Sequence, residues 1–474
     1  MVPPVPATIV ITASDTLTAP GHELAFSAQV LDTEGQPVPT ASVMWSVSDT
    51  LRGQITADGV FTGGPWVGRP YVRAMLDQSA LAESLAVRIV PPGTVKWVWA
   101  AAELGGVMPA IGGPALATDG TIYVRVDIGG WPDYPGTLVA LSPTGEVVWS
   151  TPLVQVDGCT GLVVVPGSGR LWLVGKRAYL LAPTGEVLWD TVPYPEPGIV
   201  PATLSGAASA DLLVGTMGER PIAFRASDHA FLWEGPYAPQ VSWLVPPTIT
   251  ADGQRVLAKR TRDTLFVFDA ADGTIRQRFL DPDTSLDSRV FGRGTVPVGE
   301  RYYLPTWSGL AAYDTAGPLL WLTAGNGRGM TEPAVGPDGA LYVQNRNWGL
   351  QALNPDGTTR WYRRTLIQPS GPYQEEQRWS WHGGLALAAG GILYGAGFDR
   401  FYAYDLEGNR LWDYVADSAG VAQAFIGSPA IAPDGTVYTF TGTHVYAFWG
   451  AGPPEPNSPW PMWRHDAQRT GWAR

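Results

Sequence analysis

A four-strand pattern that returns along most of the chain restricts the fold more than any other feature. An apolar run ends in Asp-Gly or a similar turn, a short strand follows, a second strand reads like L-x-A-L-x-P-x-G, and a Trp closes the unit. PALATDGTIYV with TLVALSPTGEVVW near residue 120 returns as EPAVGPDGALYV with GLQALNPDGTTRW near residue 340, and as SPAIAPDGTVYTF with HVYAFW near residue 435. A period of roughly 40 to 50 residues with four short strands per unit is the signature of propeller blades. Units run from Pro114 to Trp149, Leu162 to Trp189, Pro201 to Trp233, Pro246 to Phe279, Gly294 to Trp321, Glu332 to Trp361, Gly383 to Trp412 and Ser428 to Trp449. The expected fold is therefore all-β, with an eight-bladed propeller and seven blades as the alternative count.

Within a unit the strands are lettered A to D from the axis outward. The C–D turns SPTGE (142 to 146), APTGE (182 to 186), NPDGT (354 to 358) and DLEGN (405 to 409) place Gly where a tight hairpin needs positive φ, often with Pro at the first corner. A D-strand Trp recurs at Trp149, Trp189, Trp233, Trp321, Trp361 and Trp412, and packing against the neighbouring blade is its expected role. The eighth unit lacks a D strand, and TVKWVWAA (94 to 101) reads as that strand, with Trp97 or Trp99 in the blade position. Such pairing closes the ring without an open edge.

These units resemble the pyrroloquinoline-quinone (PQQ)-type repeat family, whose consensus is A-x-D-G-x-h-Y-V followed by h-h-A-h-D-x-x-T-G-x-h-h-W. SPWPMWRHDAQRTG, with Trp460, Trp463, His465 and Asp466, is similar to a segment that accompanies such propellers in secreted bacterial proteins. Residues 1–92 read as short alternating strands of a β-sandwich. Its LDTEGQPV, WSVSD with Trp45 and Asp49, and ITADGVFTG with Gly59 resemble the bacterial Ig-like domain of the Big2 type. The expected division is a sandwich at 1–92 and a propeller at 93–474 that includes the WPMWRHD segment.

No cofactor is expected. Quinone-dependent relatives carry a calcium-binding acidic set and commonly a vicinal Cys pair, whereas this chain has the single Cys159 and no matching set, so PQQ is unsupported. Asp residues in the turns leave calcium as an alternative, but with too few oxygen ligands. Five His residues, one of them in the sandwich, argue against a multi-His metal centre. A formal charge of −12 argues against nucleic acid and anionic membranes as partners. No stretch approaches the ~20 apolar residues of a membrane helix. Met1 followed by VPPVPA suggests a removed leader, one able to carry a lipid anchor, and hence a secreted, periplasmic or cell-surface protein; an authentic cytoplasmic start is the competing reading.

Long B–C and D–A connections cluster on one face: 126 to 136, 281 to 294, 323 to 333 and 364 to 384. Binding residues favour long loops on a rigid scaffold. Candidate ligand contacts there are Trp131, Tyr134, Arg293, Arg328, Tyr373, Arg378, Trp379 and Trp381, suited to a sugar ring or a protein partner or, equally, to stapling the loops down. Glu332 and His382 precede A strands and point toward the channel mouth; with Glu375 or Glu376 they form the acid–base set of an alternative carbohydrate lyase or hydrolase, or else a solvated ring of charge. The expected function is a non-catalytic envelope or secreted binding protein whose partner is a protein or a glycan. An adhesin or matrix component acting through the sandwich is the third reading.

Overall fold

The computed structural model of the protein describes residues 4–77, 79–109, 112–129, 135–155, 161–175, 177–191, 206–217, 220–236, 246–260, 264–280, 294–306, 309–324, 330–345, 349–364, 383–397, 400–418 and 421–473. Two compact units divide the chain. One comprises Met1–Lys96, Pro433–Thr436 and Phe448–Pro453, the other Trp97–Ala432, Val437–Ala447 and Pro454–Arg474.

The first unit is built on two antiparallel sheets. Pro6–Ala13, Glu23–Asp32, Val60–Gly63 and Gly53–Ile55 form one in that order; Val43–Val47, Tyr71–Leu76 and Ala82–Ala86 form the other. In ELAFSAQVLD the alternation buries Leu24, Phe26 and Val30 while Glu23, Ala25 and Ser27 face water, as a half-buried strand requires. Leu24, Phe26 and Phe61 from one sheet join Val72 and Trp45 from the other in a common core. Residues 448–453 contribute Trp449, which is buried, meets the His22 ring edge-on at 4.9 Å and lies under the Lys96 ammonium at 4.0 Å.

Among the described residues, seven four-stranded sheets of consecutive strands, and an eighth in which Ala430–Ile431, Val437–Phe440 and His444–Phe448 are joined by a strand from far earlier in the chain, make up most of the second unit. The first comprises Ala115–Leu116, Ile122–Asp127, Gly136–Leu141 and Val147–Leu153. Its B and C strands are buried almost throughout, whereas its D strand alternates toward solvent. Covered on both faces, the inner strands read as apolar runs instead of an alternation. Tyr123 and Leu138 of the first sheet pack with Leu171 and Leu173 of the second. Equivalent clusters link later neighbours. Val124 and Val139 of the first sheet also pack with Tyr438 and Phe440 of the last, so the series closes on itself as a β-propeller. The last sheet takes Val95–Ala100 as its outer strand, beside His444–Phe448.

Neighbouring sheets are fastened at the rim by one repeated contact. The indole N–H of five D-strand tryptophans donates to a carbonyl in the next sheet's C–D turn: Trp97 to Pro143 (2.8 Å), Trp149 to Pro183 (2.9 Å), Trp233 to Ala270 (2.9 Å), Trp321 to Pro355 (3.1 Å) and Trp361 to Leu406 (2.7 Å). The indole lies over the turn Gly, which has positive φ at Gly145, Gly185, Gly273, Gly357 and Gly408. A Cβ on Gly185 would lie 2.7 Å from the Trp149 ring. Gly is thus required twice there, for its dihedral and for the space it leaves. Phe279, which has no N–H to donate, stands in the fourth sheet, and there Gln277 reaches across to the Thr315 carbonyl at 2.8 Å. The turn Asp side chains are engaged by backbone N–H groups two residues on, as at Asp269, Asp356 and Asp405.

A pair of substitutions separates the two demands on Gly. Gly167 has φ of 76° with open space around it, whereas Gly185 has φ of 87° beneath an indole. Gly167→Ala is expected to cost about 1 kcal/mol, from the dihedral alone, and Gly185→Ala roughly 2–4 kcal/mol. Urea unfolding of both variants measures the difference.

Candidate functional site

The inner strands are short, most of them two or three residues, and their outward edges face the axis. Edge N–H groups need partners when water is excluded. Residues 460 to 473 supply them by running around the axis. Leu116 and Val164 donate to the carbonyls of Ala467 (2.8 Å) and Gln468 (2.9 Å), Ala208 and Ile249 to those of Thr470 (2.9 Å) and Gly471 (2.8 Å). On the other side Val335 donates to Trp460 (2.8 Å) and Leu387 to Pro461 (2.7 Å).

Two arginines gather the carbonyls that remain. Arg464 donates to the carbonyls of Gly206 (3.0 Å) and Pro247, and to the Thr248 hydroxyl. Arg469 donates to Pro114 (3.0 Å), Trp463 (2.9 Å), Ser428 (2.7 Å) and Pro429 (3.0 Å) while its guanidinium stacks on Trp463 at 5.2 Å. Both side chains are buried. Small residues ahead of the inner strands make the approach feasible: a Cβ on Gly294 would fall 2.6 Å from the Glu332 carboxylate and 2.7 Å from Arg464.

Glu332 sits at the centre of this network, 1% exposed. One carboxylate oxygen accepts the Gly294 N–H and the other the Arg464 N–H at 3.0 Å, with the Arg464 guanidinium 3.8 Å away. Burial pushes the carboxyl upward, opposed by the Arg464 charge and the two N–H donors. Burial likewise draws Arg469 down to about 9, opposed by Asp466 and Glu332, so it stays cationic at neutral pH. Asp466 accepts from the Thr470 N–H (3.0 Å) and hydroxyl (2.7 Å). Its burial alone would raise it, but His465 and Thr470 carry it below the ordinary carboxylate value.

The expectation that Glu332 faces a water-filled channel mouth is therefore corrected: inner-strand edges demand partners, and the chain that provides them also encloses this carboxylate. His382, Glu375, Glu376, Trp131, Tyr134, Arg293, Arg328, Tyr373, Arg378, Trp379 and Trp381 lie outside the described residues. Arg464, Arg469 and Thr248 were not singled out from the sequence. Their only signal was Gly or Pro ahead of successive A strands, at Gly113, Gly206, Pro247, Gly294 and Gly384. A second polar layer lies at the ends of the B strands. Buried Lys259 donates to the Pro305 carbonyl (3.2 Å) and Gln344 to that of Ala396 (3.0 Å), each bridging to the next sheet.

Two substitutions test this network. Glu332→Ala leaves Arg464 buried beside an empty site and is expected to cost about 3–5 kcal/mol in chemical unfolding. Asp466 titrates below its ordinary 3.8, so its contribution is present above that pH and is lost as pH falls through the lowered value. Asp466→Asn should accordingly show a shallower fall of melting temperature between pH 4 and pH 2 than the wild type.

Comparison with known proteins places the fold. A family model described as outer membrane protein assembly factor BamB matches residues 174–324. BamB from Moraxella catarrhalis superposes with a TM-score of 0.54 at 13% identity, covering 71% of this chain and 95% of its own. The computationally designed Ika8 protein superposes with a TM-score of 0.53 at 13% identity, covering 72% of this chain and 97% of its own. No curated protein matches the chain by sequence. The second unit has the fold of a β-propeller, and its residues 174–324 are similar to the PQQ-type repeat model.

Proposed function

We propose that this protein is a non-catalytic binding or scaffold protein of the bacterial envelope or exterior, which captures a protein or glycan through the loop-bearing propeller face. In this reading the eight sheets are the eight blades of a complete ring, and the first unit is a Big2-type Ig-like sandwich. The observation that carries the reading is the occupied axis. Residues 460 to 473 fill it, and Glu332, which an enzyme at the channel mouth would need as its acid or base, is committed to two backbone N–H groups and Arg464. What remains for recognition is the face with the long connections, underlain by the Lys259 and Gln344 bridges. Rigid support beneath variable loops is the usual arrangement of a binding face. The family model and the BamB structure support a protein partner at the envelope.

One observation favours the sandwich as a second contact. Leu51 and Trp66 are 66% and 62% exposed, on two loops clamped by Arg52, which donates to the Val67 carbonyl (3.1 Å) and pairs with Asp49. Large apolar side chains held exposed on pinned loops mark contact surfaces.

A glycan array and a pull-down from envelope extract, run with wild type, a Trp379→Ala, Trp381→Ala double variant and Trp66→Ala, test both readings. Loss of at least about tenfold in capture by the double variant, as expected for aromatic anchors, places the contact on the propeller loops. Capture that survives the double variant but not Trp66→Ala assigns it to the sandwich and removes the loop proposal.

A further inference from the structure

We propose that the axial edges of the inner strands form a peptide-binding site, that residues 458 to 473 are its ligand in cis, and that this segment opens as a unit while the blades stay folded. The segment is held as a bound peptide is held. Its main chain receives N–H groups from inner strands of six sheets, while the ladders within those sheets are complete without it. Trp460 is fully buried against Val335 and Leu341 and serves as the apolar anchor; Arg464 and Arg469 are the polar ones. A buried aromatic flanked by arginines, each bound to several carbonyls, is the usual composition of an interaction hot spot.

The segment's own conformation points the same way. Arg464, His465 and Arg469 have φ of 62°, 77° and 62°, each in the left-handed region. Non-glycine residues there cost on the order of 1 kcal/mol or more apiece, and persist where surroundings enforce them. No regular strand or helix is present between 454 and 473. The ring imposes this shape, and the Pro-rich PPEPNSP stretch at 453 to 459 leads into it, itself touching the ring through the Glu455 N–H to Leu387 carbonyl bond (3.0 Å). The ligand class that fits is a peptide able to turn at these positions, with a Trp followed by Arg at the fourth and ninth positions after it, as Trp460, Arg464 and Arg469 are spaced. Recognition is by backbone carbonyls converging on guanidinium groups and by the Glu332 carboxylate, which caps the Arg464 N–H.

Native-state hydrogen exchange on the intact wild-type chain is the first test. The amides of Leu116, Val164, Ala208, Ile249, Val335 and Leu387 should exchange as one group, on the order of tenfold or more faster than B- and C-strand amides, as a sub-global opening does. The second test uses a full-length Arg464→Met, Arg469→Met variant and a fluorescein-labelled synthetic peptide of residues 456 to 473. The variant should bind this peptide while the wild type, whose site is filled, binds at least tenfold less, and a peptide with both Arg replaced by Met should bind neither. A single common exchange rate for edge and ladder amides in the wild type overturns the proposal, as does a folded variant that fails to take up the peptide. If the variant does not fold, the wild-type exchange pattern decides.

Discussion

The inner edges of the ring impose the constraint on which the rest of the propeller depends. Each four-stranded sheet satisfies its own interior ladder but presents a row of N–H and C=O groups to the axis. A buried donor without a partner costs about 1–3 kcal/mol, and a ring multiplies that cost by its sheets. Residues 460 to 473 meet it with main-chain carbonyls on both sides of the axis. Arg464 and Arg469 answer the converging carbonyls that no N–H could reach, since a guanidinium presents five donors in a fixed fork. Their charge then requires Glu332 and Asp466 nearby. The buried ionic network is thus a consequence of closing sheets into a ring.

At the circumference a different interaction does the fastening. The indole of one sheet buries apolar area over the turn Gly of the next and donates its single N–H to the turn carbonyl beside it. An apolar contact alone would tolerate sliding, whereas the directional bond fixes register between sheets. The variations keep the contact while changing the chemistry. After Trp189, the next turn carries His229 with φ of 62°, its ring 5.7 Å from the indole; after Phe279, Gln277 supplies the crossing bond. Together the rim and the axis hold most of the sheets at both ends.

Much of this was legible in the residues. The return of TIYV, ALYV and TVYTF with L-x-A-L strands announced buried strands in repeating units, because period-two patterning and turn chemistry are local. The D-strand Trp announced a contact between neighbours, though not its direction onto the turn. By contrast Glu332 looked like an ionisable group at a mouth, and nothing local singled out Arg464 and Arg469. Their surroundings come from Gly206, Pro247, Thr248, Gly294, Pro114 and Ser428, scattered across most of the chain.

The sequence by itself determined the all-β class, the repeating unit, the tight C–D hairpins and the positions of the rim tryptophans. Each depends on dihedral preferences and side-chain alternation within a few dozen residues. Only the tertiary structure decided that WPMWRHDAQRTGW fills the axis and that two arginines and a glutamate are sealed there. The physical reason is that burial and hydrogen-bond partnership are properties of the closed ring: a carboxylate or guanidinium carries no local mark of whether water or a neighbouring sheet will satisfy it.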